Sequence, residues 1–192
     1  SRSLNLCDNI LEMPMKAFVS LLPEPYYQAI LNIWGELENK FGYNHIYQTP
    51  LPHFTWQLGD DYRAGYEEVL DEVCQTKTNL EIQTDIVTWF SGQEPVVYLR
   101  IVKTPQLTQV HQFLWERLIP YCENPSLLYA PSSWEPHITL SMEERSWCRL
   151  AELINFLKTK ELRWSFPVDN LTILSQHDDQ PAIIEQKYCF GF

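Results

Sequence analysis

The sequence predicts an α+β fold built from short strands and amphipathic helices. Apolar runs of strand length alternate along the chain with apolar stripes at helical spacing. The order strand–helix–strand–helix–strand occurs twice. With 192 residues, of which 45% are hydrophobic and 14% aromatic, the chain can build one packed interior. We therefore expect a single domain over 1–192, with one lobe at approximately 16–95 and a second at 96–192.

The elements of the first half are separated by proline and glycine. A strand over 16–22 ends at Pro23, and Pro25 opens a helix that reaches Gly42, because proline is favoured in the first turn of a helix. Pro50 and Pro52 precede a strand over 53–58. The elements that follow are a helix over 62–75 and a strand over 80–90, and a strand over 96–102 opens the second half.

The second half repeats this order. Thr104 is suited to cap a helix and Pro105 to its first position, and the helical stripe continues to Leu118. A loop rich in Pro and Ser covers 121–135. The remaining predicted elements are a strand over 137–140, a helix over 143–157, and strands over 162–166, 170–174 and 183–190.

Charge and composition limit the classes of partner. The net charge is −11 and the pI about 4.8. Proteins that bind duplex DNA neutralise its phosphates with a broad basic surface, so we expect no duplex DNA partner. No apolar run reaches the roughly 20 residues that span a membrane, so we expect no membrane partner. Five scattered Cys without a Cys-x-x-Cys pair are typical of reduced thiols and predict a cytoplasmic protein.

One four-residue pattern occurs twice. Pro52-His53-Phe54-Thr55 returns as Pro136-His137-Ile138-Thr139, each on a predicted strand. Successive side chains of a strand point to opposite faces, so each His shares a face with its Thr. Phe54 and Ile138 then face the core. We expect the two His-x-Thr pairs to face each other across a groove.

The same alternation extends the predicted groove face along the strands. Gln57 and Ser141 follow the two threonines at strand spacing and would share their face. In the strand 96–102, Tyr98 and Arg100 lie opposite the aliphatic residues. In the strand 16–22, the aliphatic positions 17, 19 and 21 suit the core, which leaves Phe18 for the groove. We predict these five residues as substrate contacts.

Two imidazoles and two hydroxyls suit phosphodiester chemistry. Imidazole titrates near pH 6.5, so one His can accept a proton while another donates one. Hydroxyl groups can donate hydrogen bonds to the non-bridging oxygens of a phosphate. A metal site at His53 and His137 is a weaker alternative, because each motif offers Thr in place of a third ligand. The other histidines, at positions 45, 111 and 177, are expected to be structural or solvated.

The two motifs resemble the signature of the 2H phosphoesterase superfamily, and the chain is similar to its 2′-5′ RNA ligase-like branch. His53-Phe54-Thr55-Trp56-Gln57-Leu58-Gly59 resembles the first motif of that branch. Glu135-Pro136-His137-Ile138-Thr139-Leu140 resembles the second. The strands 16–22 and 96–102 and the stretch 168–175 also sit where the family has them, so the resemblance spans most of the chain.

The resemblance implies a two-lobed α+β fold, with two antiparallel sheets, outer helices and pseudo-twofold symmetry around a central groove. It implies that His53 and His137 are a catalytic pair and that Thr55 and Thr139 bind phosphate. The implied activity is metal-independent hydrolysis or transfer at a 2′,3′-cyclic phosphate or a 2′–5′ linkage, without a cofactor. We expect a monomer that takes a small nucleotide or an RNA end as substrate.

Two other functions stay open from the sequence. A nucleotide-binding module without catalysis would need phosphate donors but no pair of proton-transfer groups. A protein-interaction domain would be indicated by a structure that holds the two histidines far apart. The residues alone also leave open which His is the base and which is the acid.

Overall fold

The computed structural model describes residues 15–75, 80–92, 95–143, 146–177 and 180–189. The helices in these ranges are α1 (Tyr26–Phe41), α2 (Tyr66–Gln75), α3 (Pro105–Leu118) and α4 (Leu150–Leu157), with short 3-10 helices at His45–Gln48, Leu127–Tyr129 and Ser146–Arg149. The strands are β1 (Met15–Leu21), β2 (His53–Gly59), β3 (Asp61–Tyr62), β4 (Glu81–Phe90), β5 (Val96–Ile101), β6 (Cys122–Glu123), β7 (His137–Met142), β8 (Ser165–Pro167), β9 (Asn170–Gln176) and β10 (Ile183–Cys189).

Eight of the described strands form two four-stranded antiparallel sheets, which confirms the predicted α+β class. The first sheet has the order β10-β9-β1-β2, and the second has the order β7-β5-β4-β8. The two motif strands, β2 and β7, are edge strands of their sheets and contact each other. The sheets therefore meet along the two strands that carry the repeated pattern.

Each sheet takes strands from both halves of the sequence. The first sheet joins β1 and β2 to β9 and β10, while the second joins β4 and β5 to β7 and β8. The helices also join the two halves of the sequence. Helix α1, from the first half, packs on β7 of the second, and α3, from the second half, packs on β2 of the first. The lobes predicted at 16–95 and 96–192 therefore do not coincide with the two sheets. Periodicity identifies a strand but carries no information about its pairing partner.

The helix α1 shows why the core forms as it does. Ile30, Ile33, Trp34 and Leu37 recur at helical spacing, and all four side chains are buried. The helix ends at Gly42, whose φ of +74° is left-handed and whose N–H donates to the carbonyl of Glu38. None of the described helices is both long enough and apolar enough to cross a bilayer.

Several element boundaries differ from the prediction for local reasons. The helix α2 begins at Tyr66 instead of residue 62, because β3 pairs with β6 just before it. The helix α4 begins at Leu150, after the 3-10 turn Ser146–Arg149, and residues 144–145 of the predicted helix lie outside the described residues. Residue 190 of the last predicted strand also lies outside them. Thr104 caps α3 as predicted, since its side chain accepts from the N–H of Leu107 at 3.1 Å.

Candidate active site

Backbone carbonyls just before His53 hold the start of β2 and the histidine ring in place. The carbonyl of Pro52 accepts the N–H of Leu22 at 3.0 Å, which joins the start of β2 to the end of β1. The Nδ1 atom of His53 lies 2.5 Å from the carbonyl oxygen of Leu51. A carbonyl can only accept, so Nδ1 carries the proton and Nε2 is the nitrogen left for a substrate.

The second motif has the same geometry. The carbonyl of Pro136 accepts the N–H of Ile101 at 3.0 Å. The Nδ1 atom of His137 lies 2.6 Å from the carbonyl oxygen of Glu135, again two residues before the histidine. Both imidazoles are therefore held in the same tautomer by the same local contact, as the repeated Pro-His pattern permits.

A β-bulge follows the threonine of each motif. On β2, Thr55 pairs with Val19 and Gln57 pairs with Phe18, so Trp56 is an extra residue. On β7, Thr139 pairs with Tyr98 and Ser141 with Val97 of β5, so Leu140 is extra. Beyond the extra residue, each side chain points to the face opposite to the one that strict alternation predicts.

The bulges correct two of the predicted substrate contacts. Gln57 and Ser141 are turned away from the face that carries the threonines, and their side chains are 0% and 2% exposed. Leu58 and Met142, the residues that follow them, line the cavity. Alternation alone could not find this, because a bulge leaves no clear mark in either motif.

Phe18 was also predicted on the wrong face. Its ring is 0% exposed and packs edge-on against Tyr62, with ring centroids 4.5 Å apart. Because directly paired residues share a face, Phe18 lies on the side of Gln57, while Ala17 lies on the side of Leu58 and lines the cavity. The aliphatic residues of β1 were assigned to the core on hydrophobicity, but Ala17 lines a cavity that is itself largely apolar.

Tyr98 and Arg100 lie on the same face as His137, as predicted. In the sheet, Tyr98 is paired with Thr139 and Arg100 with His137. The centroid of the Tyr98 ring is 5.1 Å from that of His137 and 4.2 Å from that of Phe90. The guanidinium of Arg100 is engaged by Asp85, with Nε and Nη2 donating at 3.0 and 2.5 Å.

A cavity of about 160 Å³ connects residues of both motifs. His53, Thr55 and Thr139 line it together. His137 is outside this lining, against Phe90 and Tyr98, but its charge acts on His53. The remaining described lining is uncharged: Met15, Ala17, Trp34, Ile46, Thr49, Leu51, Leu58, Tyr129, Met142, Leu174, Ser175, Gln176 and Ala182. Tyr129 comes from the long loop before β7, where no sequence pattern marked it.

The two imidazoles differ in their electrostatics. The pKa of His53 is lowered to about 4, chiefly by burial and also by the charge of His137, while the hydrogen bond to the Leu51 carbonyl acts in the opposite direction. Burial also lowers the pKa of His137, while its hydrogen bond to the Glu135 carbonyl and the carboxylate of that residue raise it. The pKa of each ring is thus lowered from its ordinary value, and His137 differs from His53 in having a carboxylate nearby that favours its protonated form.

His111 has a structural place beneath the first motif. Its ring is 1% exposed and stacks on Trp134 at 3.7 Å between centroids, with the planes only 5° apart. Its Nε2 atom lies 3.2 Å from the carbonyl oxygen of Trp56. The described residues contain no group of three His, Cys, Asp or Glu side chains placed to hold a metal ion.

Comparison with known families identifies the chain's relatives. A family profile described as the 2′-5′ RNA ligase superfamily matches residues 25–180. The chain belongs to this superfamily. The resemblance that the two motifs indicated, to the 2H phosphoesterases and their 2′-5′ RNA ligase-like branch, is thereby confirmed. A search of curated protein sequences found no significant match.

Solved structures share the fold of this superfamily member at low sequence identity. TT0787 of Thermus thermophilus is 12% identical with a TM-score of 0.61, over 92% of this chain and 97% of that chain. E. coli LigT complexed with 3′-AMP is 14% identical with a TM-score of 0.58, over 94% and 100%. LigT complexed with NADP+ is 15% identical with a TM-score of 0.57, over 94% and 99%. At these identities the likeness concerns the fold.

Proposed function

We propose that this protein is a metal-independent phosphodiesterase. Its substrate would be a 2′,3′-cyclic phosphate or a 2′–5′ linkage on a nucleotide or a short RNA end. The observation that carries the proposal is the matched geometry of the two motifs. In each, a backbone carbonyl accepts a hydrogen bond from Nδ1–H, so that Nε2 of His53 and of His137 is the nitrogen available to a substrate. Membership of the superfamily and the nucleotide complexes of LigT support the same class of ligand.

The two histidines would divide the proton transfers. The low pKa of His53 suits a neutral base that takes a proton from the attacking water. His137, whose pKa the Glu135 carboxylate raises against the effect of burial, suits the acid that protonates the leaving ribose oxygen. Bound phosphate is an anion and favours the protonated form of His137. The new P–O bond forms to water as the P–O bond to the ribose breaks, and solvent then restores both protonation states.

The threonines would hold the phosphate. Thr55 and Thr139 line the same cavity, so their hydroxyls can donate to non-bridging oxygens whose charge changes during the reaction. The largely apolar, uncharged remainder of the described lining suits the neutral nucleoside part of a substrate with one phosphate. The Tyr98 ring lies beside that of His137, outside the cavity lining, and is a further proposed contact for the substrate.

The test compares His53→Ala and His137→Ala with the wild type. The substrates are 2′,3′-cyclic mononucleotides and 2′–5′ dinucleotides, with the position of the product phosphate identified. Each variant should lose about a hundred- to ten-thousand-fold in kcat, the usual contribution of one acid or base. His177→Ala is the matched control, because that histidine is exposed. Activity should survive EDTA.

Two outcomes would contradict the proposal. Turnover retained in either single variant would remove that histidine from the chemistry. Nucleotide binding by calorimetry without product after long incubation would favour a binding module on the same scaffold.

A further inference from the structure

The backbone carbonyls of the two motif threonines each accept a hydrogen bond from an indole. The Nε1 of Trp134 donates to the carbonyl of Thr55 at 2.9 Å, and the Nε1 of Trp34 donates to the carbonyl of Thr139 at 3.3 Å. In each contact, the tryptophan and the threonine come from different halves of the chain. Trp34 on α1 serves the second motif, and Trp134, just before β7, serves the first.

These bonds fall where the sheet ladders are interrupted. Each threonine is followed by the extra residue of a bulge, Trp56 or Leu140, where regular pairing is lost. Buried backbone carbonyls require a partner, and here side chains supply it. The Nε2 of His111 also lies within hydrogen-bond distance of the carbonyl of the bulge residue Trp56.

Both indoles are themselves fixed by packing. Trp34 and Trp134 are each 2% exposed. Trp134 stacks with the His111 ring, at 3.7 Å between centroids, and with the Trp56 ring, at 5.6 Å. A donor that cannot move holds its acceptor at a fixed place, so the backbone at each threonine is tied to a rigid part of the core.

We propose that Trp34 and Trp134 are positioning residues for catalysis, which orient the threonine hydroxyls by holding the bulges in place. The inference rests on the proposed function, since the threonine hydroxyls matter only if they bind the reacting phosphate. Trp134 acts through Thr55 and Trp34 acts through Thr139. Neither indole N–H is required to touch the substrate.

The test is a set of double-mutant cycles on kcat/KM with a 2′,3′-cyclic nucleotide. Trp134→Phe keeps an aromatic ring but removes the N–H, and it is measured alone and with Thr55→Ala. Trp34→Phe is paired in the same way with Thr139→Ala. The crossed pairs, Trp134→Phe with Thr139→Ala and Trp34→Phe with Thr55→Ala, measure any general effect of weaker packing.

Trp164→Phe is the matched control. The Nε1 of Trp164 also donates to a backbone carbonyl, that of Glu161 at 3.0 Å, and Trp164 is not among the residues that line the cavity. If a Trp-to-Phe variant melts below the assay temperature, benzothienylalanine at the same position removes the N–H while keeping the bicyclic shape. Thermal melting of every variant accompanies the kinetics.

We expect Trp134→Phe and Trp34→Phe each to lower kcat/KM by up to about tenfold, the scale of one hydrogen bond. In the background of its own threonine variant, the same change should cost less than about twofold, while the crossed pairs should multiply. Losses that multiply in all four pairs, or a Trp164→Phe loss of equal size, would overturn the positioning role. A wild type without His53-dependent turnover would instead contradict the proposed function, and the positioning role with it.

Discussion

The backbone carbonyl of Glu135 accepts a hydrogen bond from Nδ1–H of His137, with 2.6 Å between nitrogen and oxygen, and the carboxylate of the same residue opposes the lowering of the His137 pKa by burial. One residue thus sets both the orientation of this imidazole and its tendency to hold a proton. On the opposite motif, Leu51 supplies the carbonyl but has no charge to offer. This difference is the physical basis for assigning His137 as the acid.

Glu135→Gln should therefore narrow the pH range of activity. Without the carboxylate the pKa of His137 falls, so the alkaline limb of the kcat/KM profile should move to lower pH. Lys103 forms an ion pair with Glu135 at 3.1 Å, and Lys103→Gln should move the limb in the opposite direction. Profiles with 2′,3′-cyclic AMP check both. If the alkaline limbs of the wild type, Glu135→Gln and Lys103→Gln coincide, the acid is a group other than His137.

Substitutions can separate the contribution of the threonine hydroxyls to activity from that of the side-chain shape. Thr55→Val and Thr139→Val keep the branched side chain but remove the donor, and each should lower kcat/KM by about a hundredfold. Thr55→Ser and Thr139→Ser should retain most of the activity. Thr108→Val is the control, because the Thr108 hydroxyl donates to the carbonyl of Thr104 at the start of α3 and Thr108 is not among the residues that line the cavity. Equal losses for Ser and Val would show that packing, and not hydrogen bonding, is what these residues supply.

Buried histidines should make the fold sensitive to acid. Burial lowers the pKa of His53 and of His111 to about 4, whereas in the unfolded chain each titrates near 6.5. Between these values the unfolded chain binds protons that the folded chain does not. The free energy of unfolding should therefore fall as pH drops from about 6.5 to about 4, by at most about 1.4 kcal/mol per pH unit for each histidine. Above this window these two groups should contribute no pH dependence.

Urea unfolding between pH 4.5 and 8 measures this slope. His53→Ala should reduce it, while His177→Ala, at an exposed position, should leave it unchanged. His137, whose pKa burial also lowers, adds to the slope in the same direction. A stability that stays flat across the window would mean that the folded imidazoles titrate normally.

A single new cation in the cavity should alter substrate choice. Met142 lines the cavity with His53 and Thr139, and the described lining contains no Lys or Arg. Met142→Arg should raise kcat/KM for a 2′,3′-cyclic nucleotide with an added 5′-phosphate, relative to the same nucleotide without it, by about tenfold. Met142→Gln, of similar length and uncharged, is the control. The gain should shrink in high salt, and a gain equal in both variants would exclude a charge effect.

The motif strands could be predicted because their signal is local. The order Pro-His-apolar-Thr determines a strand start, a histidine orientation and one face of the strand within four residues. Alternation correctly placed Tyr98 and Arg100 on one face of β5, because the stretch that pairs with His137 through Thr139 is regular, whereas the pairing of β5 with β7 is known only from the structure.

The rest depended on contacts that sequence patterns do not encode. Gln57 and Ser141 were assigned to the wrong face because a bulge after each threonine reverses the alternation, and the Thr55 carbonyl at one bulge accepts a hydrogen bond from the distant Trp134. Phe18 was assigned to the wrong face because the aliphatic residues of β1 were placed in the core on hydrophobicity. Tyr129 reaches the cavity from the short 3-10 helix Leu127–Tyr129, within a segment that the sequence predicts only as a loop. The strand order that joins β1 to β9 likewise reflects long-range pairing.

The interleaved strand order has a consequence for synthesis on the ribosome. When β7 is complete at Met142, both motif histidines, His53 and His137, have been translated. At that point β1 still lacks its neighbour in the sheet, β9, at Asn170–Gln176. Helix α1, made early, has its place on β7, which is made late. A nascent chain therefore carries every proposed catalytic group well before it has the scaffold to align them. Its first sheet becomes complete only with the final strands.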